Sequence, residues 1–189
     1  MPLRTNVSVV LLTIALFGCA SAPAAPATGA TQPTQAANGT GHRATHEVLP
    51  DRDTEALEAV ARTHGGAGPW AVAGYRMGLH AIARLGLPRG SFDLEVRHES
   101  PAEVQFSCVA DGAQAATGAS MGKLNLTHAV VPRSDLKTIY RKKSTGETLV
   151  LRPSKSFVAR FENVPRERLG EAGRAVLHLP DGEVFEEVK

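Results

Sequence analysis

Residues 107–126 read SCVADGAQAATGASMGKLNL. Cys108 through Ala116 suits a short helix, and Gly118 is placed to end it. Residues 124–131 then read as a strand, so the local order is helix, turn, strand. A phosphate-binding P-loop runs strand, turn, helix; it keeps four residues between its glycines and follows its lysine with a hydroxyl residue. Here three residues separate Gly118 from Gly122, and Leu124 follows Lys123. The stretch is therefore not a P-loop. No G-x-G-x-x-G dinucleotide fingerprint is present, Ser107 lacks the surroundings of a hydrolase nucleophile, and no local signature pairs Cys108 with a distant histidine.

Working outward, Asp51 or Asp53 is placed to cap a helix with Ala56, Leu57, Val60 and Ala61 on one stripe, stopping at His64-Gly65-Gly66. Gly68-Pro69-Trp70 opens a second helix, with proline in the favoured first turn. Val72, Tyr75, Leu79 and Ile82 form its apolar face, and Gly86 and Pro88 end it. A further stripe, Ala71, Gly74, Gly78 and Ala81, marks a surface where another backbone comes close: a strand, a helix or a dimer mate, with packing inside the same chain preferred. Residues 92–96 alternate as a half-buried strand does. Residues 101–107 read as a loop. Residues 136–141 and 148–152 read as a hairpin around Ser144-Thr145-Gly146. Residues 157–161 read as a strand, and 166–179 as a helix or, by its alternation, a hairpin, stopped by Pro180-Asp181-Gly182. Helices first, then strands, then a helix give an α+β domain with N-terminal helices packed on a mostly antiparallel sheet.

Composition narrows the function classes. Hydrophobic residues make up 42% and charged residues 21%, which supports a packed core. The formal net charge of +2, aromatics at 5% and the absence of a basic block argue against nucleic acid. Arg4 precedes an apolar run over residues 7–17, too short to span a bilayer. The run leads into Leu16-Phe17-Gly18-Cys19, similar to the bacterial lipoprotein processing signal; the alternative is an ordinary signal peptide cut at a later alanine. The organisation expected is a signal peptide over 1–18, a flexible Ala/Pro/Thr-rich tether over 19–50 and a folded domain over 51–189. Lipid on Cys19 would anchor the chain to a membrane of the bacterial cell envelope, facing periplasm or exterior. Cys108 is then the sole free thiol, so no intramolecular disulfide forms.

Three stretches together resemble the FmdE domain family, a family of formylmethanofuran dehydrogenase components. They are His64-Gly65-x-x-Gly68-Pro69-Trp70 with Gly74-Tyr75-Arg76-Met77-Gly78, then residues 107–126, then Tyr140-Arg141-x-x-Ser144-Thr145-Gly146. Leu179-Pro180-Asp181 through Phe185 is similar to the family's closing segment. The resemblance implies an α+β domain, often a homodimer. It also implies a site where a His-x-His element, extended in some members to a cysteine, meets a later cysteine around zinc or another transition metal. His64 matches the first histidine and Cys108 the later cysteine. Gly66 stands where the second histidine usually is, and Gly68 where many members carry cysteine.

The metal candidates are accordingly His64, Cys108 and Asp111. Asp111 falls on the face of Cys108 if that segment is helical, and His98 or His80 is available to complete the set. The plain alternative is a buried apolar Cys108 and a helix-end His64. Lys123, Asn125 and Arg76 are candidates for holding an anionic ligand. Their alternatives are a surface lysine, a turn-ending asparagine, and an arginine that reaches Asp111 or only solvent. Three functions follow. The first is a lipid-anchored domain binding a transition metal or a metal-associated small ligand, with an accessory role in metal or redox metabolism. The second is a non-catalytic binding or assembly module with a degenerate metal site. The third is an enzyme using Cys108 with Asp111 or His64 as acid–base group.

Overall fold

The computed structural model describes residues 51–188; the expected signal peptide, the tether and Cys19 lie outside them. Helix α1 (Arg52–His64) begins where Asp51 accepts a hydrogen bond from the Thr54 amide at 2.7 Å, and it ends at Gly65, whose φ is 87°. Helix α2 (Pro69–Arg84) starts on proline. Strand β1 (Leu94–Ser100) leads to α3 (Val104–Thr117), closed by left-handed Gly118. Strand β2 (Leu126–Val130) follows, then the hairpin of β3 (Lys137–Lys142) and β4 (Thr148–Pro153). The chain finishes with α4 (Lys155–Phe161), α5 (Leu169–Leu177), the short α6 (Asp181–Val184) and β5 (Phe185–Glu187).

The sheet order is β2-β1-β3-β4-β5. Only β1 and β2 pair in parallel, with α3 as their crossover; the other pairs are antiparallel. The α+β expectation holds, with one βαβ unit inside it. One face of the sheet carries Leu94, Val96, His98, Thr138, Tyr140, Leu149 and Leu151 into the core. The other carries charge pairs: Arg141 to Glu95, and Arg97 and Lys137 to Glu99.

Two local readings are corrected. Residues 101–107 are not all loop: α3 starts at Val104, and its first turn already buries Phe106 in the core, a tertiary contact that local sequence does not announce. Residues 157–161 are helical rather than a strand. Ser154 caps α4 by accepting from the Phe157 amide at 3.1 Å, and Phe157 and Phe161, four residues apart, share its buried side. Trp70 lies edge-on between Phe106 and Phe157, with ring centroids 5.1 and 5.0 Å away. The segment 166–179 is a helix, entered by a 3-10 turn.

The small-residue stripe of α2 faces α3. A Cβ on Gly74 would stand 2.1 Å from the Val109 carbonyl oxygen, and one on Gly112 would stand 1.9 Å from that of Ala71. The helices thus touch backbone to backbone. Helix α3 is fixed to the sheet by buried His98, which lies 3.1 Å (Nε2) from the Phe106 carbonyl and 2.9 Å (Nδ1) from the Thr138 hydroxyl. A carbonyl only accepts, so Nε2 carries the proton and Nδ1 accepts from Thr138. Burial above all lowers the His98 pKa to about 4.

Two outcomes follow from this packing. In an open helix, Gly→Ala stabilises by up to about 1 kcal/mol. At Gly112 the clash reverses the sign, so Gly112→Ala loses about 2 kcal/mol or more in urea titrations, while Gly170→Ala, with nothing within 4 Å, does not lose stability. The unfolded chain protonates His98 near its ordinary value and the folded chain only near pH 4. Stability conferred by neutral His98 is therefore present above pH 6.5 and lost as pH falls toward 4, by roughly 3 kcal/mol. A His98→Gln variant shows a correspondingly flatter pH–stability curve over that window.

Candidate functional site

The C-terminus of α1 presents His64 beside α3. Its Nδ1 lies 2.8 Å from Asp111 Oδ2, and the two side chains are 24% and 45% exposed. Asp111 thus fixes the imidazole through Nδ1 and leaves Nε2 as the atom for further chemistry. Carboxylate-to-imidazole bonds of this kind orient histidine ligands from behind the metal.

Past His64 the chain turns through Gly65-Gly66-Ala67-Gly68. The turn is pinned by α5, where a Cβ on Gly173 would stand 1.8 Å from the Ala67 carbonyl oxygen. A cavity of about 660 Å³ opens against this turn. His64, the turn and the first residues of α2 form one wall; Val104, Gln105 and Cys108 of α3 form another. Phe161, Val164, Arg166, Leu169 and Gly170 complete it. Trp70 donates its indole N–H to the Phe161 carbonyl at 2.9 Å, tying α2 to α4 beneath the cavity. Gly66 and Gly68 line this space. A Cβ on Gly66 would meet nothing within 4 Å, and one on Gly68 would meet Leu169 Cβ at 4.0 Å.

Cys108 faces the cavity and donates its thiol to the Val104 carbonyl at 2.9 Å. Burial first, and the charge of Asp111 second, push the thiol up to about 11. The group is a protonated thiol at neutral pH, a poor nucleophile unless its proton is displaced.

His64, Cys108 and Asp111 thus occupy one corner, with Asp111 engaged by His64 instead of lining the cavity. Among the described residues no group of three or more His, Cys, Asp or Glu side chains is arranged to hold a metal ion. A zinc site needs about four donors; this chain offers the cavity His64 and Cys108. The described residues do not complete a resident metal site. His98 serves the core, and His80 lies 3.9 Å from Asp181.

The other candidates bind the fold itself. Arg76 donates to the carbonyls of Val176 and Leu179 and pairs with Asp181, holding the C-terminal segment on α2; it does not reach Asp111. Lys123 donates to the Gly118 and Gly90 carbonyls at 2.9 and 3.3 Å. Asn125 accepts from the Ser120 amide at 3.0 Å and donates to the Leu94 carbonyl at 2.9 Å. Sequence reasoning missed Arg166, Phe161, Val164 and Leu169, which meet the glycine turn only after α4 and α5 fold back; nothing local in their sequence announces it.

With Cys19→Ser leaving one thiol, alkylation of Cys108 at pH 7 runs on the order of a hundredfold slower than that of free cysteine and climbs with pH toward 11. Asp111→Asn removes the neighbouring negative charge and speeds the reaction. Both are read by timed iodoacetamide labelling and mass spectrometry.

A search of curated proteins finds no match to the chain. A family model described as "FmdE, Molybdenum formylmethanofuran dehydrogenase operon" matches residues 63–186, well over half of the sequence. The match spans α2 through β5 and starts one residue before His64, so both walls of the cavity fall inside it. The chain belongs to the FmdE family.

Proposed function

We propose that this FmdE-family domain is a small-ligand-binding module whose metal site is degenerate, held at the bacterial cell envelope by lipid on Cys19. The observation that carries the reading is the cavity of about 660 Å³, which lies within the size range of ligand pockets and borders only two donors of the family's metal set. The apolar walls favour the body of an organic ligand, and His64 Nε2, oriented by Asp111, supplies a polar contact. Cys108, as a protonated thiol, adds shape and a weak polar group rather than a nucleophile, which weighs against an enzyme built on its thiolate. The anchoring proposal rests on the apolar run ending at Gly18-Cys19. No helix among the described residues is long and apolar enough to cross a membrane.

The second reading is a metal-associated small ligand that brings its own remaining donors, with an accessory role in metal or redox metabolism. The bond from His64 Nδ1 to Asp111 favours it, since that bond is the usual support of a ligating imidazole. A homodimer would be a further source of donors.

Elemental analysis of the tag-free protein, before and after incubation with zinc, separates the two. The degenerate-site reading expects less than stoichiometric metal in the wild type. It also expects a gain to about one zinc per chain in a Gly66→His, Gly68→Cys variant, which restores four donors. Stoichiometric metal in the wild type, lost in both His64→Ala and Cys108→Ser, would replace the first reading with the second.

A further inference from the structure

We propose that the cavity selects amphipathic anions, molecules with an alkyl or aryl body and one carboxylate, and that Arg166 reads the charge. This deepens the ligand-binding reading above and rests on it. The body of the ligand is set by the walls, which are formed by Ala67, Pro69, Trp70, Phe161, Val164 and Leu169. Its charge is set by what the walls lack. Among the described residues no aspartate or glutamate lines the cavity, and the one arginine that does, Arg166, makes no ion pair or side-chain hydrogen bond.

The other two cavities provide an internal comparison. In one of about 330 Å³, Arg168 is paired with Glu171 at 3.0 Å, and both line the space. In one of about 440 Å³, Arg152 is paired with Glu186 at 2.6 Å, and Arg133 is bound to Glu162. Arg168, Arg152 and Arg133 are thus each neutralised by a carboxylate of the same cavity, while Arg160, which also lines the smaller one, lies over the Phe161 ring 5.2 Å from its centroid. Among the described residues Arg166 has neither a carboxylate nor a ring as partner, and it lines the largest of the three. A carboxylate fits the guanidinium through two parallel N–H bonds, a geometry that a hydroxyl cannot match. A cationic ligand would meet Arg166 with no carboxylate to offset it. Because Arg166 is exposed, its attraction is screened by salt, so the preference is greatest at low ionic strength.

The test uses the full chain and its single tryptophan, Trp70, which is 4% exposed and lines the cavity. Octanoate and 1-octanol, equal in chain length and different in charge, are titrated separately while Trp70 fluorescence is followed. The expected result is octanoate binding about tenfold tighter than octanol at low salt. Arg166→Gln brings octanoate to the octanol level and leaves octanol unchanged, and Arg168→Gln changes neither. Equal binding of the two probes by the wild type would overturn the anion preference while leaving the ligand cavity intact. A preference that survives Arg166→Gln would overturn the role of Arg166. No response to either probe at millimolar concentration would overturn both this inference and the ligand-binding reading beneath it.

Discussion

The contact between α2 and α3 is the constraint on which the rest of the structure depends. Gly74 and Gly112 let the two helices meet with their backbones touching, closer than ordinary side chains allow. Each interior glycine costs its own helix about 1 kcal/mol. The close approach recovers that cost through packing of Val72, Met77, Val109 and Ala113, all fully buried. It also fixes the distance of α3 from the sheet, since α3 is the crossover between β1 and β2 and His98 bonds it to β1 and β3.

The site is a consequence of that geometry. α2 begins right after the glycine turn, and α3 carries both Cys108 and Asp111, so the α2–α3 spacing sets how far the turn stands from the thiol. His64 is brought in by the end of α1 and held by Asp111. The far side is closed by α4 and α5: Trp70 joins α2 to Phe161, and Gly173 presses on Ala67. Five elements thus converge on one opening, and a shift in the helix pair would change its width and the reach of His64 together.

Much of this was legible in the sequence because the signals were local. Asp51 and Gly65 bound α1, Pro69 starts α2, and Gly118 ends α3, each by the backbone chemistry of a single residue. The stripe of Ala71, Gly74, Gly78 and Ala81 announced a close neighbour, and the neighbour is α3. What was illegible depended on tertiary context. Residues 157–161 form a helix because Ser154 caps it, the Phe157 ring meets Trp70, and the Phe161 carbonyl accepts from the Trp70 indole, a partner far away in sequence. Arg76, Lys123 and Asn125 looked like ligand groups because their residue types suit anions. Their bonds go to main-chain groups and, for Arg76, to Asp181, whose positions no sequence pattern reports. The cavity was invisible for the same reason, since five of its sixteen lining residues come from residues 161–170.

Gly66 and Gly68 link the two properties of the site. Side chains at these positions would project into space that is now open: a Cβ on Gly66 meets nothing within 4 Å, and one on Gly68 is only in light contact with Leu169. An imidazole at 66 and a thiol at 68, the groups that the family resemblance implies there, would supply metal donors and fill volume at once. Their absence removes donors and leaves room in the same corner. On the proposed reading, metal capture and accommodation of an organic ligand would compete for one space, and glycine at both positions would shift the balance toward the ligand. His64, Asp111 and Cys108 would suit either state, because an oriented imidazole and a half-buried thiol can serve as metal donors in one and as part of a binding wall in the other.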